Sequence, residues 1–221
     1  MADPEEIELK YRLGGERSYR RLCAFLGRPA EEWEQINYYY ESEDGTIPGK
    51  QGVIRIRAEK GRVFFTVKRS GSLIGGLARS VEVETPWEGE GAAFPPDPDS
   101  LWDAGHKGLQ ALAAERGGPF RLVHIGGMVN RRKVYRLRGG LLLEVDASRY
   151  PDGTRDFEVE VESEAPERDR PKLIEILRQA GVRFSVQTET KYQRFLRHLG
   201  PRSADSGRSK ASKGSAGRRR F

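Results

Sequence analysis

Apolar and polar residues alternate with a period of two along much of the chain, which is the pattern of strands with one buried face. The stretch Glu6-Ile7-Glu8-Leu9-Lys10 shows it near the start, with the charged side chains on one face and the apolar ones on the other. Short glycine-containing turns between several such segments favour antiparallel pairing. We predict roughly eight strands, over residues 5–13, 35–42, 53–59, 62–69, 78–85, 123–137, 140–150 and 156–163.

Apolar residues recur at helical spacing in four segments, which are residues 14–27, 99–118, 171–181 and 190–200. For the second segment we predict a cap at Asp99 or Ser100 and an end at Gly117. A loop rich in proline, glycine and acidic residues, over residues 86–99, separates two β-rich halves without a clear repeat.

The predicted fold class is therefore mainly β with helices (α+β), in the form of a closed antiparallel eight-stranded β-barrel covered by helices. Closure into a barrel removes the exposed sheet edges that an all-antiparallel protein would otherwise carry. A β-sandwich stays open as the alternative.

The polar faces of the predicted strands carry charges that are sorted by sign. Side chains two positions apart on a strand lie about 6.8 Å apart on one face, so like charges there repel each other. A solvated face explains any single pair, but the arrangement recurs on several strands. The basic pair is Arg55 and Arg57, and the acidic sets are Glu82 with Glu84, Glu144 with Asp146, and Glu158 with Glu160 and Glu162.

Each sign suits one class of ligand. Paired carboxylates suit a hard divalent cation such as Mg²⁺ or Mn²⁺, and arginines suit phosphate through charge-assisted, often bidentate hydrogen bonds. If the charged faces point into a barrel, its interior becomes a polar tunnel for a polyanion and its metal. The sequence contains no GxxxxGK[ST] loop, GxSxG elbow or HExxH motif.

The net charge of +6 is confined to the C-terminal end of the chain. Residues 201–221 hold seven of the 39 Lys+Arg and one of the 33 Asp+Glu, which leaves 32 of each sign elsewhere. We therefore divide the chain into a domain over residues 1–200 and a disordered basic tail over residues 201–221. The tail is interpreted as a solubilising end, and contact of the tail with nucleic acid or polyphosphate stays open.

The single cysteine, Cys23, excludes an internal disulfide and agrees with a reducing compartment. It falls on the apolar face of a predicted helix, which favours burial over a nucleophilic role. The start of the chain is acidic and no apolar run reaches about 18 residues, so we predict a soluble, cytoplasmic protein without a membrane partner. The sequence does not separate a monomer from a homodimer.

The charged strands also match a known family in their order. The motif EIELK resembles the ExExK signature of the CYTH superfamily, the triphosphate tunnel metalloenzymes. The stretches GGMVNRRKVYRLRGGLLLEVD and FEVEVESEAPER are similar to the plant-type tripolyphosphatase branch, and the likeness runs from about residue 4 to residue 199. Asn130 departs from the pattern, since many relatives carry a second basic residue there. The tail has no counterpart in the family core.

This resemblance implies a divalent-metal-dependent hydrolase that releases the terminal phosphate of a linear triphosphate, with Mg²⁺ or Mn²⁺ as cofactor and inorganic tripolyphosphate as the first candidate substrate. It implies catalytic roles for Glu6, Glu8 and Lys10. The implied phosphate-binding residues are Lys10, Arg55, Arg57, Lys68, Arg132 and Lys191. The implied metal ligands are Glu6, Glu8, Glu158, Glu160, Glu82, Glu84, Glu144 and Asp146.

Three alternatives stay open beside this one. A thiamine triphosphatase and a class IV adenylate cyclase share the tunnel, and a non-catalytic polyphosphate- or RNA-binding module would use the cations without turnover. A thiamine site would want aromatic residues at one tunnel mouth, although positions in the core or the barrel wall explain such residues more often. The candidates are Tyr38, Tyr39, Tyr40 and Trp87.

Overall fold

A ring of antiparallel strands closes on itself. The computed structural model describes residues 5–47, 52–87, 94–137 and 139–200. The strands are β1 (Glu5–Leu13), β2 (Glu31–Ser42), β3 (Gly52–Glu59), β4 (Arg62–Ile74), β5 (Leu77–Pro86), β6 (Leu122–Arg136), β7 (Leu142–Arg149), β8 (Arg155–Glu162) and β9 (Phe184–Val186). The first eight pair in the order β5-β4-β3-β2-β6-β7-β8-β1, and β1 pairs with β5 to close the ring. The predicted barrel is confirmed, and the sandwich is excluded.

The strands differ from the predicted ones at a few ends. β2 begins at Glu31 rather than at residue 35, and β4 continues to Ile74, beyond its predicted end at residue 69. β9 was not predicted. It pairs with Tyr11–Leu13 of β1, beyond the point where the pairing of β1 with β5 ends. Three residues are too few to show a period, so the alternation could not reveal this strand.

The helices of the described residues are α1 (Glu16–Leu26), α2 (Pro98–Asp103), α3 (Lys107–Glu115), α4 (Pro166–Gln179) and α5 (Lys191–His198). The single helix predicted over residues 99–118 was wrong, because Gly105 turns the chain with a φ of 62° and separates α2 from α3. The predicted caps, Asp99 and Ser100, were wrong too. Asp97 is the cap, and its carboxylate accepts from the N–H of Asp99 at 2.9 Å.

α4 begins at Pro166, before the start predicted at residue 171. A proline fits the first turn of a helix because its missing N–H is not needed there. Glu167 and Asp169 also lie in the first turn, where their negative charges interact favourably with the positive end of the helix dipole. Pro171 therefore lies inside the helix.

The apolar faces of the strands point outward, and helices cover them. α1 and α4 pack on the wall formed by β1, β7 and β8, where Leu9, Leu143 and Val159 bury their side chains against Leu22 and Leu173. Burying a side chain of this size contributes about 1.5–3 kcal/mol. The barrel thus carries this core on its outside and leaves its interior to polar groups.

Two smaller clusters complete the cover. α2 and α3 pack on β3 and β4, with Ile54, Ile56 and Phe65 against Leu101 and Leu109. α5 packs across one end of the barrel, where its aromatic residues meet β2 and β6. That cluster consists of Tyr39, Met128, Tyr150, Tyr192 and Phe195.

Parts of some predictions lie outside the described residues, namely the tail over residues 201–221 and residues 88–93 of the predicted loop. Cys23 is partly buried and packs against the cluster under α1. Among the helices that the structure describes, none is long and apolar enough to cross a membrane.

Candidate functional site

The barrel interior holds a cavity of about 350 Å³. Charged side chains such as Glu6, Glu8 and Lys10 reach it from alternate positions of the strands, because a period of two sends every second side chain inward. The predicted site residues that line it are Glu6, Glu8, Lys10, Arg55, Arg57, Lys68, Glu82, Glu84, Arg132, Glu144, Glu160 and Lys191. The other two, Asp146 and Glu158, are buried behind this surface and contact Lys191. The structure therefore brings all the predicted site residues together.

Three carboxylates form a compact cluster on one wall of the cavity. Asp146 of β7 lies opposite Glu158 of β8, and Glu160 follows two positions along β8. One oxygen from each carboxylate lies within 4.8 Å of the others. Buried carboxylates at this spacing repel one another, so the cluster requires cationic partners to stay ionised.

Lys191 is one of those partners. Its Nζ lies 2.7 Å from Asp146 Oδ2, 2.7 Å from Glu158 Oε1 and 2.9 Å from Glu160 Oε1. Burial alone would lower the pKa of Lys191, but the three carboxylates raise it well above its ordinary value. Lys191 is the first residue of α5, and Thr190 caps that helix, so the start of α5 fixes the ammonium beside the cluster.

Arg132 binds the same cluster from β6. It donates from Nε to Asp146 Oδ1 at 3.0 Å and from Nη2 to Asp146 Oδ2 at 2.7 Å, and Nη2 also donates to Glu160 at 2.8 Å. Arg132 contacts Glu144 as well. Burial, with the charges of Glu160 and Asp146, raises the pKa of Glu144 to about 7 against the opposing effect of Arg132. This wall therefore has one carboxyl that titrates near neutral pH.

Lys10 of β1 is a third cation that contacts the carboxylate cluster. Its Nζ lies 2.6 Å from Glu160 Oε1 and 2.7 Å from Glu8 Oε2. Burial alone would raise the pKa of Glu160, but Lys10, Lys191 and Arg132 hold it well below its ordinary value. Glu160 is therefore an ionised carboxylate shared by three cations.

The opposite wall also pairs acids with cations. Arg55 donates from Nη2 to Glu82 at 3.2 Å and lies 3.7 Å from Glu84. Lys68 contacts Glu82 and lies 3.0 Å from Glu6 Oε2. The register accounts for these pairs, because Lys68 of β4 stands directly opposite Glu82 of β5.

Glu6 and Glu82 differ in their affinity for protons. Burial, followed by the hydrogen bond with Glu82, raises the pKa of Glu6 to about 7 against the opposing effect of Lys68. Burial would also raise the pKa of Glu82, but Arg55 and Lys68 lower it to about 2. A carboxyl that titrates near pH 7 thus lies beside one that stays ionised, which is the arrangement of an acid–base pair.

Arg57 differs from these paired cations, since it makes no ion pair with any residue that the structure describes. Its Nε is buried without a hydrogen-bond partner. Burial, followed by the neighbouring charges of Arg55 and Arg132, lowers the pKa of Arg57. An anion in the cavity would supply the partner that this guanidinium lacks.

Sequence reasoning missed Arg194, a buried cation of α5. Its Nε lies 2.7 Å from Asp156 Oδ2 and its Nη2 lies 2.8 Å from Glu158 Oε1. It lies three positions after Lys191, on the same side of α5. This i,i+3 spacing of cations on a predicted helix is the signal that could have revealed it.

Asn130, the departure from the family pattern, belongs to a hydrogen-bonded chain that ends at the carboxylate of Glu59. Its Nδ2 donates to Gln35 Oε1 at 2.8 Å, and its Oδ1 accepts from Ser148 Oγ at 3.1 Å. Gln35 in turn donates to Glu59 Oε2 at 2.6 Å. The amide is satisfied within the barrel, so this position contributes a neutral group to the cavity.

The side chains fit a hard divalent cation. The clustered carboxylates of Asp146, Glu158 and Glu160 offer the oxygen donors that Mg²⁺ and Mn²⁺ prefer. Within the described part of the chain, no histidine or cysteine lines the cavity, so the donors that softer metals favour are absent from it.

The chain is similar to known proteins over most of its length. A family model for the CYTH domain matches residues 4–196. The HpAC1 protein of Hippeastrum, a candidate adenylyl cyclase described as having a dominant triphosphatase activity, aligns with a TM-score of 0.78 and 24% identity over 87% of this chain and 95% of its own.

Two further solved structures share the fold. A candidate adenylate cyclase from Bacillus halodurans aligns with a TM-score of 0.61 and 28% identity over 86% of this chain and 98% of its own. A protein from Pyrococcus horikoshii aligns with a TM-score of 0.54 and 18% identity, again over 86% and 98%. A comparison with curated proteins finds no match.

Proposed function

Because the chain belongs to the CYTH domain family, we propose that it is a divalent-metal-dependent hydrolase that releases the terminal phosphate of a linear triphosphate, with inorganic tripolyphosphate as its substrate. One observation carries the proposal. The cavity sets a guanidinium without an acidic partner, Arg57, among cations that are already paired with carboxylates. The cations would bind the phosphate oxygens and the carboxylates would bind the metal, so the cavity has binding groups for both parts of a metal–triphosphate complex.

The cations would bind the phosphate chain along the cavity. Arg57 gains its missing partner, and Lys10 and Lys191 exchange carboxylate contacts for phosphate oxygens. Charge-assisted hydrogen bonds of this kind stabilise the negative charge of the transferring phosphoryl group. The residues proposed to do this are Lys10, Arg55, Arg57, Lys68, Arg132 and Lys191.

The carboxylates would hold the metal and move the proton. A divalent cation at such a site supplies charge neutralisation for the triphosphate and lowers the pKa of a bound water. Glu6 and Glu8 are the proposed catalytic carboxylates, and Glu6, whose pKa is raised to about 7 by burial and the hydrogen bond with Glu82, is the stronger base of the two. The proposed metal ligands are Glu6, Glu8, Glu82, Glu84, Glu144, Asp146, Glu158 and Glu160.

A class IV adenylate cyclase is the second candidate, because the Bacillus halodurans neighbour, at 28% identity, is described as a candidate adenylate cyclase. The aromatic residues considered for a thiamine site lie on different faces of the barrel. Tyr39 lines the cavity, whereas Tyr38, Tyr40 and Trp87 pack in the outer cluster under α2 and α3. This separation weakens the thiamine triphosphatase alternative.

The test is phosphate release from a panel of tripolyphosphate, thiamine triphosphate, ATP and RNA 5′-triphosphate, with Mg²⁺ and Mn²⁺ in parallel and with cyclic AMP measured in the ATP reactions. We expect fastest release from tripolyphosphate and none in EDTA. Cyclic AMP as the main product would favour the cyclase. Turnover of no substrate in the panel would favour the non-catalytic binding module and contradict the proposal.

Within that test, Lys10→Ala should lose most tripolyphosphate hydrolysis, because its ammonium would contact the phosphates. The variant should stay folded, since Arg132 and Lys191 still neutralise Glu160. Lys172→Ala, which removes an exposed ammonium from α4, is the matched control and should retain full activity. Unchanged hydrolysis in Lys10→Ala would remove Lys10 from the catalytic set.

Three further predictions stay proposals of the same kind. They are the division into a domain over residues 1–200 and a disordered tail over residues 201–221, a cytoplasmic location, and a monomeric or homodimeric state.

A further inference from the structure

We propose that the outer wall of the barrel carries a second anion-binding site, and that its ligand is long-chain inorganic polyphosphate. The site is a groove of about 510 Å³ between α1 and the outer faces of β6, β7 and β8. It lies outside the barrel, since Arg131 and Lys133 flank the inward-facing Arg132 on β6. The described residues that line the groove include five basic side chains, namely Arg20, Arg131, Lys133, Arg149 and Arg155.

The strands bring like charges together in this groove. Arg149 of β7 stands directly opposite Arg155 of β8, and like charges in that position destabilise a sheet. Arg131 and Lys133 stand two positions apart on β6, about 6.8 Å from each other. Glu32 partly compensates this second pair, at 2.6 Å from Arg131 and 3.7 Å from Lys133. A bound anion would relieve the repulsion that remains.

The acids that line the groove do not neutralise it. Among the residues that the structure describes, two acids, Glu16 and Glu34, line the groove against five basic residues. Glu16 is shared between Arg20, at 2.6 Å, and Arg155, at 3.5 Å. Arg149 is exposed and makes no ion pair with any residue in the described ranges. The groove therefore presents a positive surface with at least one guanidinium available to a ligand.

The floor of the groove favours a polyanion without bases. Proteins that bind single-stranded nucleic acid stack bases on accessible aromatic rings. The one aromatic residue among the described lining residues, Tyr19, is 8% exposed, and its ring packs on Phe157 with centroids 5.0 Å apart. Arg155 lies over the same Phe157 ring at 5.3 Å, so its guanidinium is already held in place. The groove would therefore recognise its ligand by negative charge. Its cations are spread over α1 and three strands, an arrangement that suits an extended chain of phosphates.

The test is the binding of fluorescently labelled long-chain polyphosphate to the full-length protein, measured by anisotropy in EDTA. The cavity inside the barrel contributes equally to every variant compared, because none of the substituted residues lines it. The variant Arg149→Ala/Arg155→Ala should bind about tenfold more weakly than the unmodified protein, which corresponds to about 1.4 kcal/mol. The control Arg62→Ala/Arg121→Ala removes the same charge from residues that do not line the groove, and it should bind within about twofold of the unmodified protein. Both variants keep the basic tail, so its contribution cancels.

Equal affinity of the two double variants would overturn the proposal, because the loss would then follow net charge alone. A single-stranded RNA of matched charge should bind more weakly than polyphosphate to the unmodified protein. RNA binding that is as tight, and equally sensitive to Arg149→Ala/Arg155→Ala, would overturn polyphosphate as the ligand. Tripolyphosphate hydrolysis by this variant should be unchanged, since neither arginine reaches the cavity, and its loss would contradict a separate site.

Discussion

Arg57→Met is expected to make the ligand-free protein more stable. Methionine keeps most of the length of the side chain but removes a cation that is flanked by Arg55 and Arg132 and makes no ion pair in the described part of the chain. It also removes Nε, a buried donor without a hydrogen-bond partner. Leaving such a donor unsatisfied costs about 1–3 kcal/mol, so we expect a gain of that order at most.

The assay is thermal unfolding in EDTA, followed by far-UV circular dichroism. For a domain of this size, 1 kcal/mol shifts the Tm by about 2–4 °C, so the gain should be resolved. Arg132→Met is the matched control, because Arg132 is paired with Asp146, Glu144 and Glu160. Breaking that network should cost about 3–5 kcal/mol and lower the Tm. A higher Tm for Arg57→Met and a lower Tm for Arg132→Met would show that Arg132 stabilises the fold and that Arg57 does not.

The second half of the assay is binding of tripolyphosphate with Mg²⁺. Arg57→Met should bind it more weakly, because the guanidinium that lacks a partner in the free protein has one in the complex. A Tm equal to or below that of the unmodified protein, together with unchanged tripolyphosphate binding, would refute the reasoning. In that case Arg57 would have neither a destabilising charge nor a ligand to hold.

Two predictions concern the other charges of the barrel. Arg194→Ala should lower the free energy of unfolding by about 3–5 kcal/mol, because Glu158 stays buried with one cation fewer. Arg197→Ala, on the exposed side of α5, should lower it by about 0–1 kcal/mol. Equal Tm values for the two variants in thermal unfolding would contradict this role of Arg194. The pKa of Glu144 rises from 4.5 in the unfolded chain to about 7 in the folded protein. The folded state therefore binds this proton more tightly, and protonation of Glu144 stabilises the fold. That contribution is fully present below pH 4.5 and is lost as the pH rises towards 7. Urea unfolding in EDTA should therefore show a flatter dependence on pH between about 5 and 7 in Glu144→Gln than in the exposed control Glu175→Gln, and parallel curves would argue against it.

The sequence predicts the barrel and its interior charges for one physical reason. A period of two fixes which side chains share a face, so once Leu9 and Ile54 are assigned outward, Glu8 and Arg55 must point inward. The strand pairing then brings residues far apart in sequence together, as with Lys10 and Glu160 at 2.6 Å. The alternation therefore carries most of the information about the candidate site.

Features that depend on contacts between elements could not be read in this way. Arg194 reaches Glu158 because α5 packs against the barrel, and the period of the β-strands carries no information about which face a helix buries. The outer groove was missed because Arg149 and Arg155 become neighbours only through the β7–β8 register. The break between α2 and α3 depends on the positive φ of Gly105, which helical spacing alone does not show.

The pairing of charges inside the barrel also bears on how the proposed ligands would bind. Lys191 contacts Asp146, Glu158 and Glu160, and Lys10 contacts Glu160 and Glu8. A phosphate that drew away both ammonium groups would therefore leave buried carboxylates with fewer partners. Buried carboxylates without cationic partners raise the free energy of the folded protein, because the dielectric constant of the interior is low. The carboxylates would hold a divalent cation at the same time, and its charge would offset that cost. Metal and triphosphate should therefore bind with positive coupling, and each should strengthen the binding of the other by the same factor.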